Sequence, residues 1–299
     1  MKNPYHGWVE ALVRHQAKGA ALPLGGFPAP RVARPKARAP KVLIFSPHPD
    51  DECIVGGLAL RLRREQGWRV VNLAVTLGSR VDRRAERTRE LAAACAYLGF
   101  ELELAGGKGL EQVTEANRQS DPQGWAGKVE VVREVLQRHQ PRVILVPHAA
   151  DAHPAHRGTH LLVMDALKML DLEAGRPRPA TSSPQEPLIL VETEFWSPMA
   201  EPNLMVEISP RDLADLVAAL SCHAGEVRRN PYHLRLPAWM QDNVRRGAER
   251  VGGPGHTSPA YSFAIIYGAR RYDTKKSTSL RFDLGAGSVV ENLAEKLLY

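Results

Sequence analysis

The sequence predicts an α/β fold, an open and mostly parallel sheet with helices on both faces. Two observations carry this. Short, wholly apolar runs recur along the chain, and most are followed by a longer stretch whose apolar residues fall on one helical face. A strand covered on both sides has no polar face, so it reads as continuously apolar rather than alternating.

Residues 4–20 read as a short amphipathic helix with Trp8, Leu12 and Val13 on one side. Residues 22–40, rich in Pro, Gly, Ala and Arg, read as an extended linker. The alternation then starts. Residues 42–46 (VLIFS) predict a strand, 56–65 a helix, 70–76 (VVNLAVT) a strand, and 82–98 a helix ended by Gly99 in the left-handed cap conformation. A weaker strand at 101–105, a helix at 125–139, a strand at 143–147 (VILVP), a helix at 157–170 and a strand at 188–193 (LILVET) follow. Past residue 198 the pattern weakens to a helix at 212–223, a loop at 252–259 and an added strand at 261–267. Gly285-Ala286-Gly287 has no strand–helix frame and reads as a turn. The expected organisation is an N-terminal helix and basic linker over 1–40 and one domain over 41–299.

Composition narrows the function classes. With 299 residues, 43% hydrophobic and 24% charged, the chain is an ordinary globular protein with room for one large core. No apolar run approaches the ~20 residues of a membrane-spanning helix. The N-terminus lacks the apolar middle of a secretory signal. Three scattered cysteines, Cys53, Cys95 and Cys222, give no disulfide framework, so a cytoplasmic location is expected. The net charge of +7 is concentrated in Arg31, Arg34, Lys36, Arg38 and Lys41, which read as a solvated linker or, less simply, a phosphate- or membrane-surface arm. No aromatic residues interleave them as single-strand binders require, and no nucleic-acid partner is expected.

In an open α/β sheet, ligands bind beyond the carboxyl ends of the strands. Two strands run into polar clusters there. After VLIFS comes Pro47-His48-Pro49-Asp50-Asp51-Glu52. One Asp is explained by capping the next helix, but not His48, the second Asp and Glu52 together. After VILVP come His148, Asp151, His153, His156 and His160, so that four of eleven histidines fall within residues 148–160. Imidazole and carboxylate are ligands zinc accepts, and two His plus one carboxylate leave a position open for water. His156 and His160, four apart, are a rival ligand pair. No glycine fingerprint follows the first strand, which makes the fold Rossmann-like without a dinucleotide site, and no GxSxG elbow is present.

The two clusters resemble the PIG-L/LmbE-like family of zinc-dependent N-deacetylases, which act on N-acetylglucosaminyl conjugates. The resemblance extends to Thr76-Leu77-Gly78, Arg87 through Leu91, Leu98-Gly99, Trp196-Ser197-Pro198 and Pro202-Asn203, covering residues 41–223. It implies zinc, or another divalent ion such as Fe2+, held by His48, Asp51 and His156. It also implies Asp50 as general base, His153 assisting the reaction centre, and Arg87 contacting the sugar. Ala155 stands where the family has an Asp that orients the neighbouring His, so either Asp151 orients His153 or His153 is tuned differently. Ser79-Arg80 stands where the family has a Glu that contacts substrate, so Ser79 and Arg80 are the substrate contacts expected there.

The expected reaction is hydrolysis of an N-acyl amide on an N-acetylglucosamine-type sugar conjugate. Asp50 takes a proton from water, and a protonated His153 stabilises the charge on the acyl oxygen and then protonates the amine. The alternatives are amide hydrolysis on a non-sugar metabolite or cell-envelope precursor, motivated by Ser79-Arg80, and a metal- or carbohydrate-binding protein that has lost its chemistry, motivated by Ala155. The oligomeric state, homo-oligomer included, is open at this stage.

Overall fold

Val42, Leu43, Ile44 and Phe45 are all buried, and they point alternately into two different cores. That is the physical content of the apolar run they form. In the computed structural model, which describes residues 3–174, 188–272 and 282–284, this run is strand β1 (Lys41–Ser46). The chain enters it from helix α1 (Tyr5–Ala20) and an extended segment. There follow α2 (Asp51–Ile54), α3 (Gly57–Glu65), β2 (Arg69–Ala74), α4 (Arg84–Leu98), β3 (Glu101–Leu104), α5 (Glu115–Ser120), α6 (Pro122–His139) and β4 (Val143–Pro147). Then come α7 (Pro154–Ala174), β5 (Leu188–Thr193), β6 (Leu204–Glu207), α8 (Pro210–Ser221), α9 (Ala224–Val227), α10 (Tyr232–Arg250), β7 (Ala264–Tyr272) and β8 (Phe282–Leu284).

The strands form one sheet in the order β3-β2-β1-β4-β5-β7-β6-β8. β3 through β5 pair in parallel, and β7 is antiparallel to both β5 and β6. One core lies under α3, α4 and α8 with Val42, Ile44, Val143 and Leu145. The other lies under α6 and α7 with Leu43, Phe45, Ile144 and Val146. Each large side chain so buried contributes about 1.5–3 kcal/mol. The strand order reverses between β1 and β4: from β1 the chain winds outward through β2 and β3, then returns to begin β4 on β1's other edge. At such a switch point the loops leaving adjacent strands part in opposite directions and open a crevice. The loops leaving β1 and β4 are the two polar clusters.

The structure amends the expected elements in places. The helix expected over 82–98 begins with a 3-10 turn, Val81–Arg83, before α4. The strand expected at 261–267 runs from Ala264 to Tyr272 and is antiparallel. α5, α10 and β6 were not read from the sequence. In α10, Pro237 falls inside the helix and interrupts its signal. The turn expected at Gly285-Ala286-Gly287 lies outside the described residues. Among the described residues no helix is long and apolar enough to cross a membrane.

Candidate active site

The β1 loop turns on Asp50, whose φ of 116° lies in the left-handed region. For a residue with a Cβ this costs about 1–3 kcal/mol unless the surroundings hold it. Here the holder is Glu52. Its Oε2 accepts the Asp50 N–H at 3.0 Å, and its Oε1 lies 2.7 Å from His223 Nε2 and accepts the Cys53 thiol at 3.2 Å. Burial alone would raise the Glu52 carboxyl, but His223 together with the hydrogen bonds from Cys53 and the Asp50 N–H holds the group below its usual range. Asp50 makes no helix-capping hydrogen bond, which removes the capping explanation for it and leaves its buried carboxyl available to the cavity. Burial first, then the carboxylates of Asp51, Glu52 and Glu226, push Asp50 well above the usual carboxylate range.

Asp51 is fixed differently. Its Oδ2 accepts the His48 N–H at 2.8 Å and lies 3.7 Å from His48 Nδ1. Its Oδ1 lies 3.6 Å from His156 Nε2. His156 arrives from the β4 loop in the first turn of α7, and its other ring nitrogen, Nδ1, lies 3.4 Å from Asp151 Oδ2. Asp151 is buried, accepts the His153 backbone N–H at 2.8 Å on Oδ1, and accepts the Trp196 N–H at 3.3 Å on Oδ2. The expectation that Asp151 orients the His153 ring is therefore corrected: Asp151 holds the His153 backbone and orients the ring of His156. The His153 Nδ1 instead accepts the Ala155 N–H at 3.2 Å. An imidazole whose Nδ1 accepts carries its proton on Nε2, a tautomer assigned here from the hydrogen bond.

The rival pair is not assembled. His160 Nδ1 is turned to the Pro147 carbonyl at 2.9 Å, and His148 Nε2 to the Ser197 carbonyl at 3.0 Å. The ligand atoms of His48, His153 and His156 all lie within 4.8 Å of one another, which makes a three-imidazole set geometrically eligible. The donor chemistry favours His48, Asp51 and His156. Asp51 Oδ1 and His156 Nε2 are both buried and neither has a hydrogen-bond partner. Buried polar atoms left unpaired are costly, so two that face each other mark a place for a cation. Two ligand atoms each about 2.1 Å from a tetrahedral zinc lie about 3.4 Å apart, close to the 3.6 Å between these two atoms. Burial pushes the Asp51 carboxyl up to about 6 against the pull of His156. Burial works to lower His156, but Asp51 and Asp151 raise it. Burial and the two neighbouring imidazoles lower His48. Both shifts favour the protonated forms of Asp51 and His156, so a divalent ion held here would compete with protons.

Above the cluster opens a cavity of about 810 Å³ whose lining includes His48, Asp50 and His153. Arg87 also lines it, donating to the Leu77 carbonyl at 3.3 Å and to Glu226 Oε2 at 2.9 Å. Gly78, at φ 82°, is required beside it: a Cβ there would sit 1.9 Å from Arg87 Nη1. Ser79 lines the cavity as expected. Arg80 does not. It is exposed and pairs with Asp82 at 2.5 Å, which corrects its reading as a substrate contact. The far wall was not foreseen. Phe195 and Trp196 pack at 4.9 Å with their rings tilted by 49°, Tyr232 meets Phe195 edge-on at 5.8 Å, and Trp196 lies 5.6 Å from the His153 ring. Glu226, Arg229 and Asn230 complete that side. The sequence marked only Trp196, because the others lie in loops, in the four-residue α9 or, for Tyr232, at the start of α10, whose signal Pro237 interrupts.

Residues 43–167 match the family model described as PIG-L, GlcNAc-PI de-N-acetylase. This bears out the resemblance read from the two motifs. No curated protein matches the chain in sequence. Solved structures share the fold. N,N'-diacetylchitobiose deacetylase from Pyrococcus horikoshii, with its inhibitor bound, matches at 15% identity and a TM-score of 0.53, over 90% of this chain and 93% of that one. Teicoplanin deacetylase Orf2, in its zinc-inhibited form, matches at 16% and 0.53, over 78% and 99%. GalB, the 4-carboxy-2-hydroxymuconate hydratase from Pseudomonas putida KT2440, matches at 19% and 0.55, over 81% and 99%. At these identities the likeness speaks for the architecture alone, and GalB shows that this architecture also carries a reaction other than deacetylation.

Proposed function

With residues 43–167 built on the PIG-L pattern, we propose that this chain is a metal-dependent hydrolase that removes the acetyl group from an N-acetylglucosamine-type sugar conjugate. The observation that carries the proposal is the pair of unpartnered buried atoms, Asp51 Oδ1 and His156 Nε2, behind a cavity that their neighbours His48 and Asp50 line. His48, Asp51 and His156 would hold the ion, zinc by preference and Fe2+ as a second candidate, since both accept imidazole with carboxylate. Bound zinc lowers the pKa of water to about 7 and polarises a carbonyl.

The chain's own residues do the rest. Asp50, held in its turn by Glu52, takes the proton from the attacking water. Its raised pKa lets it keep that proton and return it to the departing amine. This differs from the sequence expectation, in which protonated His153 supplied the proton. Burial and His156 lower the pKa of His153, so the ring is neutral near pH 7 and acts as an Nε2–H donor to the acyl oxygen as charge develops there. Asp151 sets the ring of His156, and Arg87, braced by Glu226, presents its guanidinium to the sugar's oxygens. The aromatic wall of Phe195, Trp196 and Tyr232 offers flat apolar surface to the other face of the conjugate. With Arg80 outside the cavity, the motive for a non-sugar substrate weakens.

Metal-loaded protein incubated with a panel of N-acetylglucosamine conjugates should release free amine and acetate in equal amounts. Water added across a substrate double bond with no amine released, as the GalB likeness would suggest, or inertness towards every N-acyl sugar by a metal-loaded protein, would reject the proposal.

A further inference from the structure

Helix α1 turns its apolar side away from the protein. Tyr5, Trp8, Val9, Leu12 and Val13 follow the i, i+3, i+4, i+7, i+8 spacing of one helical face, and each is half or more exposed. Within the helix only Ala11, on the opposite side, and Gly19, in the last turn, are half-buried, and Gly19 abuts Leu234 at the start of α10. Side chains of this size are not left in water along a whole stripe without a use. Opposite the stripe stand Lys18 and Arg14, the latter paired with Glu10 at 3.5 Å, and the extended segment that follows carries Arg31, Arg34, Lys36 and Arg38, these four exposed and without a carboxylate partner among the described residues.

We propose that α1 and this basic segment bind the protein to an anionic membrane surface. The helix lies in the interface with Trp8, Leu12 and their neighbours among the acyl chains, and the four basic residues rest on the headgroups. An interfacial helix needs an apolar face, a cationic polar face and, to hold firmly, a second electrostatic contribution. All of these are present over residues 5–38. Charge selects this occupant over a second copy of the chain, since the same region of a second copy offers Arg31, Arg34, Lys36 and Arg38 no acidic counterpart beyond Glu10, itself paired with Arg14. The apolar stripe selects it over nucleic acid, whose phosphates have no use for Trp8, Val9 and Leu12. Among the described residues no helix is long and apolar enough to cross a bilayer.

The test uses the full chain in sedimentation with phosphatidylcholine vesicles, with and without phosphatidylglycerol. The wild type should pellet with the anionic vesicles and release as salt rises. Trp8→Glu/Leu12→Glu should cut partitioning by roughly tenfold or more at every salt concentration. Replacing Arg31, Arg34, Lys36 and Arg38 with Ala should cut it by roughly fivefold per residue at low salt and flatten the salt dependence. Both variants should keep the wild-type melting temperature and turnover on a soluble substrate. The proposal is overturned if anionic vesicles do not pellet the protein or if Trp8→Glu/Leu12→Glu pellets equally well. It is also overturned if that variant loses thermal stability (the chain covers its own stripe), if it dissolves a wild-type dimer, or if the protein binds duplex DNA regardless of it.

Discussion

Replacing Asp151 with Asn should weaken metal binding far more than it weakens the fold. Asp151 now accepts on both oxygens: the His153 N–H at 2.8 Å on Oδ1, and on Oδ2 the Trp196 N–H at 3.3 Å, with His156 Nδ1 at 3.4 Å. An amide keeps one acceptor and sets an NH2 against N–H groups on the other side, whichever way it is turned. If the oxygen stays with His153, the NH2 faces His156 Nδ1 and favours the tautomer with the proton on Nε2. That is the nitrogen aimed at Asp51 Oδ1 and needed for the ion. Loss of such an orienting carboxylate lowers metal affinity by about 10–100-fold, or roughly 1.4–2.7 kcal/mol. Zinc affinity should be measured by competition against a chromogenic chelator, with a melting curve on the metal-free variant as control. Wild-type affinity in a folded Asp151→Asn protein would refute the assignment of Asp151 to His156.

Four more outcomes follow from the same geometry. Asp50→Asn should retain metal and lose turnover by about 10²–10⁴-fold, measured as initial rates on metal-verified protein. His223→Leu leaves Glu52 as a buried carboxylate without its partner and should cost about 3–5 kcal/mol in denaturant unfolding, with Glu52→Gln added in the double variant recovering part of the loss. Gly78→Ala places a methyl group 1.9 Å from Arg87 Nη1 at a left-handed φ, so substrate KM should rise as Arg87 moves, while zinc affinity stays near wild type. Metal affinity should fall as pH drops: protons on Asp51, whose pKa is pushed to about 6, and on His156 compete with the cation, so binding is strongest above that value and weakens below it. Chelator competition across a pH series that stays flat through about pH 6 would contradict this.

The parallel half of the sheet and the position of the site were legible because burial on both faces writes a continuous apolar run. Such runs mark β1, β2, β4 and β5, and the two richest polar loops follow two of them. The family resemblance also implied His48, Asp51 and His156, which the fold brings together from opposite sides of the switch point between β1 and β4. What escaped was set by three-dimensional approach. Asp151 is close in sequence to both His153 and His156, and only the turn of α7 decides which ring it reaches. His223 meets Glu52 across 171 residues of chain, a pairing no local pattern encodes. Phe195 lines the cavity from a loop and Tyr232 from the first residue of α10, positions where tertiary approach, not periodicity, aims the side chain. Arg80 lies one residue past a cavity-lining Ser79 and faces outward, because adjacent side chains in an extended segment diverge.

The most direct test is X-ray absorption and anomalous diffraction on the zinc-loaded protein. The geometry predicts one ion bonded to a single Asp51 oxygen and to one ring nitrogen each of His48 and His156, with Asp50 close by but outside bonding reach. An ion held by three imidazoles including His153 with no carboxylate, or full turnover by protein shown to contain no metal, would contradict it.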